Sequence, residues 1–292
     1  MSNDTQLIDN IIQNNTEAFP LFSVAMCVYG GDNSEWFDLA LNSVINQTVK
    51  PSEVVIVVDG PIPKSIQMVI EKYKEICEGG IHLNVIYLEV NSGHGNARRI
   101  CVDNCSTEII ALMDADDISL SDRFERELSI LIETKADVIG GNIAEFIGNE
   151  SNIVAYRCVP EKDSDIKEYL KKRCPFNQVS VMLRKKKYVE AGGYIDWYCD
   201  EDYYLWIRML LSGAVFANTG TTLVCVRVGK EMYQRRGGKK YFKSEAKLQR
   251  FMLKKGIITV PRYLVNIGER FILQVMMPNK IRGWVFQRFA RC

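Results

Sequence analysis

Runs of apolar residues and segments of helical period take turns along the first part of the chain, and they predict an ordered series of elements. Phe22–Tyr29 is an apolar run of strand length. Asp32 and Glu35 have capping-box spacing ahead of a helix reaching about Val49, with Phe37, Ala40, Leu41 and Val44 on its apolar face and Pro51 past its end. Glu53–Val58 predicts a second strand, apolar throughout as when both faces are covered, and it ends in the turn Asp59-Gly60-Pro61. Lys64–Cys77 reads as a helix stopped by Gly79-Gly80, and Ile81–Leu88 as the third strand. Gly93–Asn104 turns into a helix, and Glu108–Met113 is the fourth strand. Repeated strand-helix order implies a mostly parallel α/β sheet with helices on both faces, the first half of a doubly wound fold.

Beyond Arg123 the pattern loosens. It predicts a helix near Asp122–Thr134, a strand near Val138–Phe146, a helix near Ser164–Arg173, a strand at Val179–Leu183 and a helix at Asp202–Leu211. There is no internal repeat and no low-complexity segment.

The chemistry gathers where strands end, which is where open α/β sheets bind ligands. Asp114-Ala115-Asp116-Asp117 follows the fourth strand directly. Such closely spaced carboxylates repel one another unless capped, hydrated or neutralised, and Mg2+ or Mn2+ takes one or two carboxylates together with phosphate oxygens. The same acids could instead cap the next helix. Tyr29 and Asp59 end the first two strands on the same rim, where a tyrosine can stack on a ring and an acid can bind a base or ribose. Asn91-Ser92-Gly93-His94-Gly95-Asn96-Ala97-Arg98-Arg99 offers backbone amides at a helix start to an anion, with arginines in reach of phosphate, and it lacks the Gly-Lys-Ser/Thr of a Walker loop. Asp200-Glu201-Asp202-Tyr203-Tyr204-Leu205-Trp206 opens an amphipathic helix. Its acids suit the helix dipole, and one of them can serve as a general base. With only His82 and His94 in the chain, a Ser-His-Asp arrangement is poorly supported, and no Cys/His zinc spacing is present.

Charge adds a second theme. From residue 227 onward there are 17 Lys/Arg against three acids, whereas the first 226 residues carry 20 against 33. A basic tail on an acidic body suggests an anionic partner: phosphates, acidic lipid or nucleic acid. Leu264, Ile267, Phe271 and Val275, then Ile281, Trp284, Val285 and Phe289, recur at helical spacing among these cations. Such a segment can lie in a membrane interface or pack on the domain with a solvated basic face. Nucleic acid is not expected, because no recognised module appears. Nine cysteines without a CxxC imply reduced thiols rather than a disulfide framework. Neither a basic-start signal nor an apolar run of spanning length is visible, so a cytoplasmic protein, soluble or peripheral, is expected.

The ordered set of strand-Tyr29-Gly30-Gly31, strand-Asp59-Gly60, Asn91 to Arg98, strand-Asp114-Ala115-Asp116-Asp117 and Glu201 to Trp206 resembles the inverting family 2 glycosyltransferases of GT-A fold. The likeness is nearest to bacterial transferases that build O-antigen, capsule and exopolysaccharide units. Arg123-Phe124, Pro175-Phe176-Asn177, Ala191 to Tyr194, Met232 to Gly238 and Met277 to Gly283 carry that narrower resemblance. It implies a GT-A nucleotide-sugar-binding and catalytic domain over residues 20–230, between a polar arm over 1–19 and a basic helical extension over 231–292 that composition and charge mark out. It also implies roles for particular positions. Val28, Tyr29 and Asp59 would frame the uracil of a UDP-sugar, and Arg98 would face the base or diphosphate, with Gly93, Asn96 and Arg99 also on the donor side. Asp114 would lie near the ribose or sugar and share with Asp116 the metal that bridges the diphosphate. Asp202 or Glu201 would be the base, Arg235 and Arg236 would close over the diphosphate, and Asn177, Gln178 and Trp206 would meet the acceptor. Relatives commonly have Asn where Arg99 stands and His where Gln178 stands.

The implied activity is transfer of a hexose, galactose or glucose, from a UDP-sugar to a polyprenyl diphosphate-linked saccharide at the inner membrane face. A sugar-1-phosphate nucleotidyltransferase would need a basic Gly-rich loop after the first strand, and Tyr29-Gly30-Gly31-Asp32 carries no cation. A non-catalytic sugar-binding module would have no need of both acidic constellations.

Overall fold

The computed structural model describes residues 19–229 and 237–277. The predicted strand-helix series is present: β1 (Phe22–Tyr29), α1 (Ser34–Ile45), β2 (Glu53–Asp59), α2 (Lys64–Cys77), β3 (His82–Tyr87), α3 (His94–Asn104) and β4 (Ile109–Asp114). β1 runs parallel to both β2 and β4, and β3 runs parallel to β2. Register places Tyr29 beside Asp59 and Cys27 beside Asp114, so the chemically loaded strand ends share one rim. β2 shows why its sequence is apolar throughout. Val54, Ile56 and Val58 join the core under α1, α2 and α4 (Arg123–Thr134), while Val55 and Val57 join the opposite core with Ala97 and Cys101 of α3.

The second half turns the sheet antiparallel before closing it. β8 (Met182–Arg184) pairs antiparallel with β4 and with β6 (Val138–Phe146), and β6 runs parallel to β9 (Phe216–Arg227). The full order is β3-β2-β1-β4-β8-β6-β9-β5, where β5 is Ile118–Ser119, and β7 (Ile153–Arg157) is added beside β6. β9 has no counterpart in the apolar pattern, because Asn218, Thr219, Gly220, Thr221 and Thr222 interrupt it. Its register against β6 shifts around Gly140 and Asn142. A Cβ on Gly141 would lie 2.5 Å from Leu223, so the close approach of the two strands requires glycine there.

Several boundaries differ from the pattern. The cap of α1 is Asn33, whose Oδ1 accepts from the amides of Glu35 (2.8 Å) and Trp36 (3.1 Å). Asp32 instead accepts from the Tyr29 amide at 3.0 Å. α1 stops at Ile45, short of Val49, and Gln47 then donates to the carbonyls of Ser43 and Leu120. Gln178–Ser180 is a 3-10 turn, not strand. α5 (Asp163–Leu170), α6 (Lys185–Glu190) and α7 (Glu201–Leu211) complete this half.

Two helices follow, α8 (Lys239–Lys254) and α9 (Val260–Arg270), the latter continued by a π turn over Phe271–Met276. Leu248 and Met252 of α8 join the core beneath α3 and α7. The second predicted amphipathic repeat, from Ile281, lies outside the described residues, as do Arg235, Arg236 and most of the N-terminal arm. Among the described residues no helix is long and apolar enough to cross a membrane. Among the described residues Cys27, Cys77, Cys101, Cys105, Cys174, Cys199 and Cys225 are free thiols.

Candidate functional site

The rim is organised first by Asp59. Its Oδ1 accepts from the Ser92 amide (2.6 Å) and hydroxyl (2.9 Å), and its Oδ2 from the Gly93 amide (3.1 Å). These bonds fix the Asn91–Gly93 turn at the N-terminus of α3. Gly60 and Gly93 both sit at φ 87°, and a Cβ on Gly60 would lie 2.7 Å from the Asn91 nitrogen. Tyr29 is half exposed with its ring against Gly31, whereas Val28 before it is buried.

Only one of the two adjacent arginines reaches the acidic cluster. Arg98 is buried and ion-paired to Asp114. Burial opposes its charge, but Asp114 more than compensates and holds the guanidinium charged. Arg99 remains on the surface of α3, bonded to Asn96 (2.9 Å) and Asp103 (3.3 Å). Helical geometry decides this, because neighbouring residues point about 100° apart.

Asp116 is left without such a partner. Burial, then the charges of Asp114 and Asp32, push its carboxyl up to about 6. Asp117, also driven up by burial, accepts the Arg227 amide at 2.8 Å. Among the described residues no three metal-binding side chains converge as a ready cage. Mg2+ and Mn2+ sites on diphosphates need only one or two carboxylates, however, and an uncompensated Asp116 beside Asp114 fits that requirement. Arg227 escaped the sequence reading. Its guanidinium lies between Trp36 (4.4 Å) and Phe146 (4.6 Å), and its Nε donates to the Asp116 carbonyl at 3.2 Å. It therefore holds the acidic turn from behind, and its only signal was its place at the start of the basic segment.

The carboxylates of α7 arrive from the other side. A Cβ on Gly95 would lie 3.6 Å from the Glu201 Cγ, so Glu201 packs on the first turn of α3. Burial and the Asp202 charge push Glu201 up to about 7. Asp202 accepts from the Tyr203 amide (2.6 Å) and lies 3.7 Å from the Cys174 thiol. Asp200 is buried, and burial with the charges of Glu245 and Asp202 pushes it up to about 9. The helical extension braces this loop: the Ser244 hydroxyl donates to the Tyr198 carbonyl at 2.6 Å, and Lys247 covers the Trp197 ring at 4.1 Å.

The acceptor-side expectations fare unevenly. Trp206 is fully buried, packed edge-on against Phe176 at 5.3 Å, and presents no surface to a ligand. Asn177 is also interior, donating to the carbonyls of Gly141 (2.8 Å) and Arg157 (3.3 Å) to tie β6 to the loop after α5. The family resemblance puts both on the acceptor side, but they lie on the inward sides of their elements. Gln178 alone is partly exposed, its amide donating to the Tyr194 hydroxyl at 2.8 Å.

The chain is 31% identical over 273 residues to the UDP-Gal:alpha-D-GlcNAc-diphosphoundecaprenol beta-1,3-galactosyltransferase of Escherichia coli, covering 93% of this chain and 97% of the relative. It is 31% identical over 276 residues to the amylovoran biosynthesis glycosyltransferase AmsE of Erwinia amylovora, covering 92% and 98%. Among solved structures, the mannosyltransferase PcManGT of Pyrobaculum calidifontis, in complex with GDP-Man and Mn2+, shares the fold with a TM-score of 0.61 at 13% identity, over 89% of this chain and 71% of that one. The Glycosyl transferase family 2 profile matches residues 23–193, more than half of the chain, and the protein belongs to that family.

Proposed function

We propose that this glycosyltransferase moves galactose or glucose from a UDP-sugar to a saccharide hydroxyl carried on an undecaprenyl diphosphate lipid, in the synthesis of a bacterial surface polysaccharide at the inner membrane face. The observation that carries the reading is the meeting of three groups around the start of α3: the Arg98–Asp114 pair, the uncompensated Asp116 and the Glu201–Asp202 carboxylates. Of the relatives named above, one is named for a UDP-Gal donor and a GlcNAc-diphosphoundecaprenol acceptor, and another for amylovoran biosynthesis.

The roles follow from chemistry. Tyr29 offers a ring for the uracil, and the turn whose Ser92 and Gly93 amides are tied to Asp59 starts α3, whose N-terminal dipole favours the diphosphate. As the glycosidic bond breaks, negative charge grows on the leaving UDP, and Arg98 with the end of α3 stabilises it. Asp116, with Asp114, would hold a divalent cation, which supplies Lewis-acid stabilisation to that same diphosphate. A carboxylate of the Glu201–Asp202 pair takes the proton of the attacking hydroxyl. Direct displacement inverts the anomeric centre. Arg235 and Arg236 are assigned to closing over the diphosphate.

The test is calorimetric titration of UDP into the wild type and Asp116→Ala, with Mn2+ and with EDTA, followed by transfer from UDP-galactose and UDP-glucose to a lipid-linked N-acetylglucosamine. Metal-dependent binding lost in the variant, with transfer in the wild type, supports the reading. A folded wild type that binds no UDP even with metal overturns it.

A further inference from the structure

Helix α9 and its π-turn continuation are built inside out. Their buried side chains are Asn266, Arg270 and Gln274, four residues apart. Their exposed ones are Val260, Leu264, Val265, Phe271, Ile272 and Met276, with Leu264 63% and Met276 66% exposed. Glu269 is the one charged side chain exposed between residues 260 and 276. A surface helix ordinarily turns its apolar stripe inward, so this exposed stripe marks an interaction face.

The orientation is enforced by bonds. Asn266 donates to the Lys171 carbonyl (2.8 Å) and to the Gln249 side chain (2.7 Å). Arg270 donates to the Lys172 carbonyl (2.8 Å) and pairs with Glu245 (2.9 Å), to which Gln274 also donates. Rotating the helix to bury its apolar side would strip these partners and leave Glu245 a partly buried carboxylate without its ion pair. The helix is thus fixed with its apolar face outward.

The surroundings say what covers it. Residues 237–277 hold nine Lys/Arg against Glu245 and Glu269, and Glu245 is consumed by Arg270. Exposed Lys239 and Lys243 flank Phe242, whose ring meets Phe271 at 5.6 Å. Exposed Lys254 and Lys255 close α8 shortly before Val260, at the other end of the stripe. An apolar strip bordered by ammonium groups matches the boundary between acyl chains and anionic headgroups, where apolar side chains enter and lysines reach up to phosphate.

We infer that the outward face of α9 and its π turn seats the protein on an anionic phospholipid surface. This deepens the proposed function and rests on its lipid-linked acceptor. The seat is wired to the chemistry: Asn266 and Arg270 hold the carbonyls of Lys171 and Lys172, and Cys174, two residues on, contacts Asp202. Seating this face sets the height of the base above the lipid, where a diphosphate-linked sugar presents its hydroxyl.

The test is flotation of the full chain with vesicles of phosphatidylcholine alone and of phosphatidylcholine with phosphatidylglycerol. Wild type should float with the anionic vesicles, and Leu264→Gln/Phe271→Gln/Ile272→Gln should lose about tenfold or more of that binding. Ile272→Val, which keeps the face apolar, should retain it and guards against loss by misfolding. Transfer to a soluble short-chain acceptor should be equal in wild type and triple variant, which separates this inference from the activity itself. Wild type that stays in the soluble fraction, or a triple variant that floats equally, overturns the seat. So does a dimer that the triple substitution converts to monomer, because the face would then cover a second copy.

Discussion

Glu201 rests against Gly95: a Cβ at position 95 would lie 3.6 Å from the Glu201 Cγ, so the first turns of α7 and α3 are in contact. Ala at 95 makes an ordinary contact and should be tolerated. The larger Gly95→Val has no room without displacing Glu201. It should lower kcat/KM by about tenfold or more with little change in thermal midpoint, since small misplacements of reacting groups are costly. Steady-state kinetics beside a melting curve of each variant measures this.

The same carboxylate sets a pH dependence. Burial and Asp202 push Glu201 up to about 7, so its protonated form gains as pH falls through that value. A base works only when ionised, so kcat/KM should rise with pH through about 7 if Glu201 takes the proton. In that case Glu201→Gln removes the limb and the activity. If Asp202 is the base, Asp202→Asn abolishes transfer by about a thousandfold, while Glu201→Gln leaves a slower enzyme whose profile lacks the limb near 7. The two pH profiles decide between them.

Metal binding should show its own proton linkage. With the metal absent, Asp116 is pushed up to about 6, and a protonated carboxyl is a poor ligand. Mn2+-dependent UDP affinity should therefore weaken as pH falls below about 6, and EDTA should remove it at any pH. Asp116→Asn should abolish the metal dependence and flatten its pH response. Calorimetry at two pH values reads both effects.

The Arg270–Glu245 pair gives a stability prediction. Removing only the guanidinium, as in Arg270→Met, leaves Glu245 partly buried near Asp200 without its ion-pair partner and should cost about 3 kcal/mol. Adding Glu245→Leu removes the stranded charge and should recover much of the loss. Urea unfolding of wild type, single and double variants measures it. A single variant as stable as wild type would falsify the bracing role given to this pair.

The apolar pattern by itself determined β1 through β4 and the helices between them, because a strand covered on both faces must be apolar throughout, as Glu53–Val58 nearly is. It also placed Tyr29, Asp59 and Asp114 at strand ends, and parallel pairing brings strand ends to one rim. Sequence could not read β9, whose threonines pair with β6 through a shifted register that local composition does not encode. Nor could it choose between Arg98 and Arg99, or know that Trp206 and Asn177 turn inward, since those outcomes depend on which side of an element meets the core. The orientation of α9 shows the reason most plainly. Its spacing predicts an apolar face, but the direction of that face was decided by hydrogen-bond partners far away in sequence, at Lys171, Lys172 and Glu245. Periodicity is local and survives in one dimension; the pairing of buried polar groups is not local, and only the folded chain supplies it.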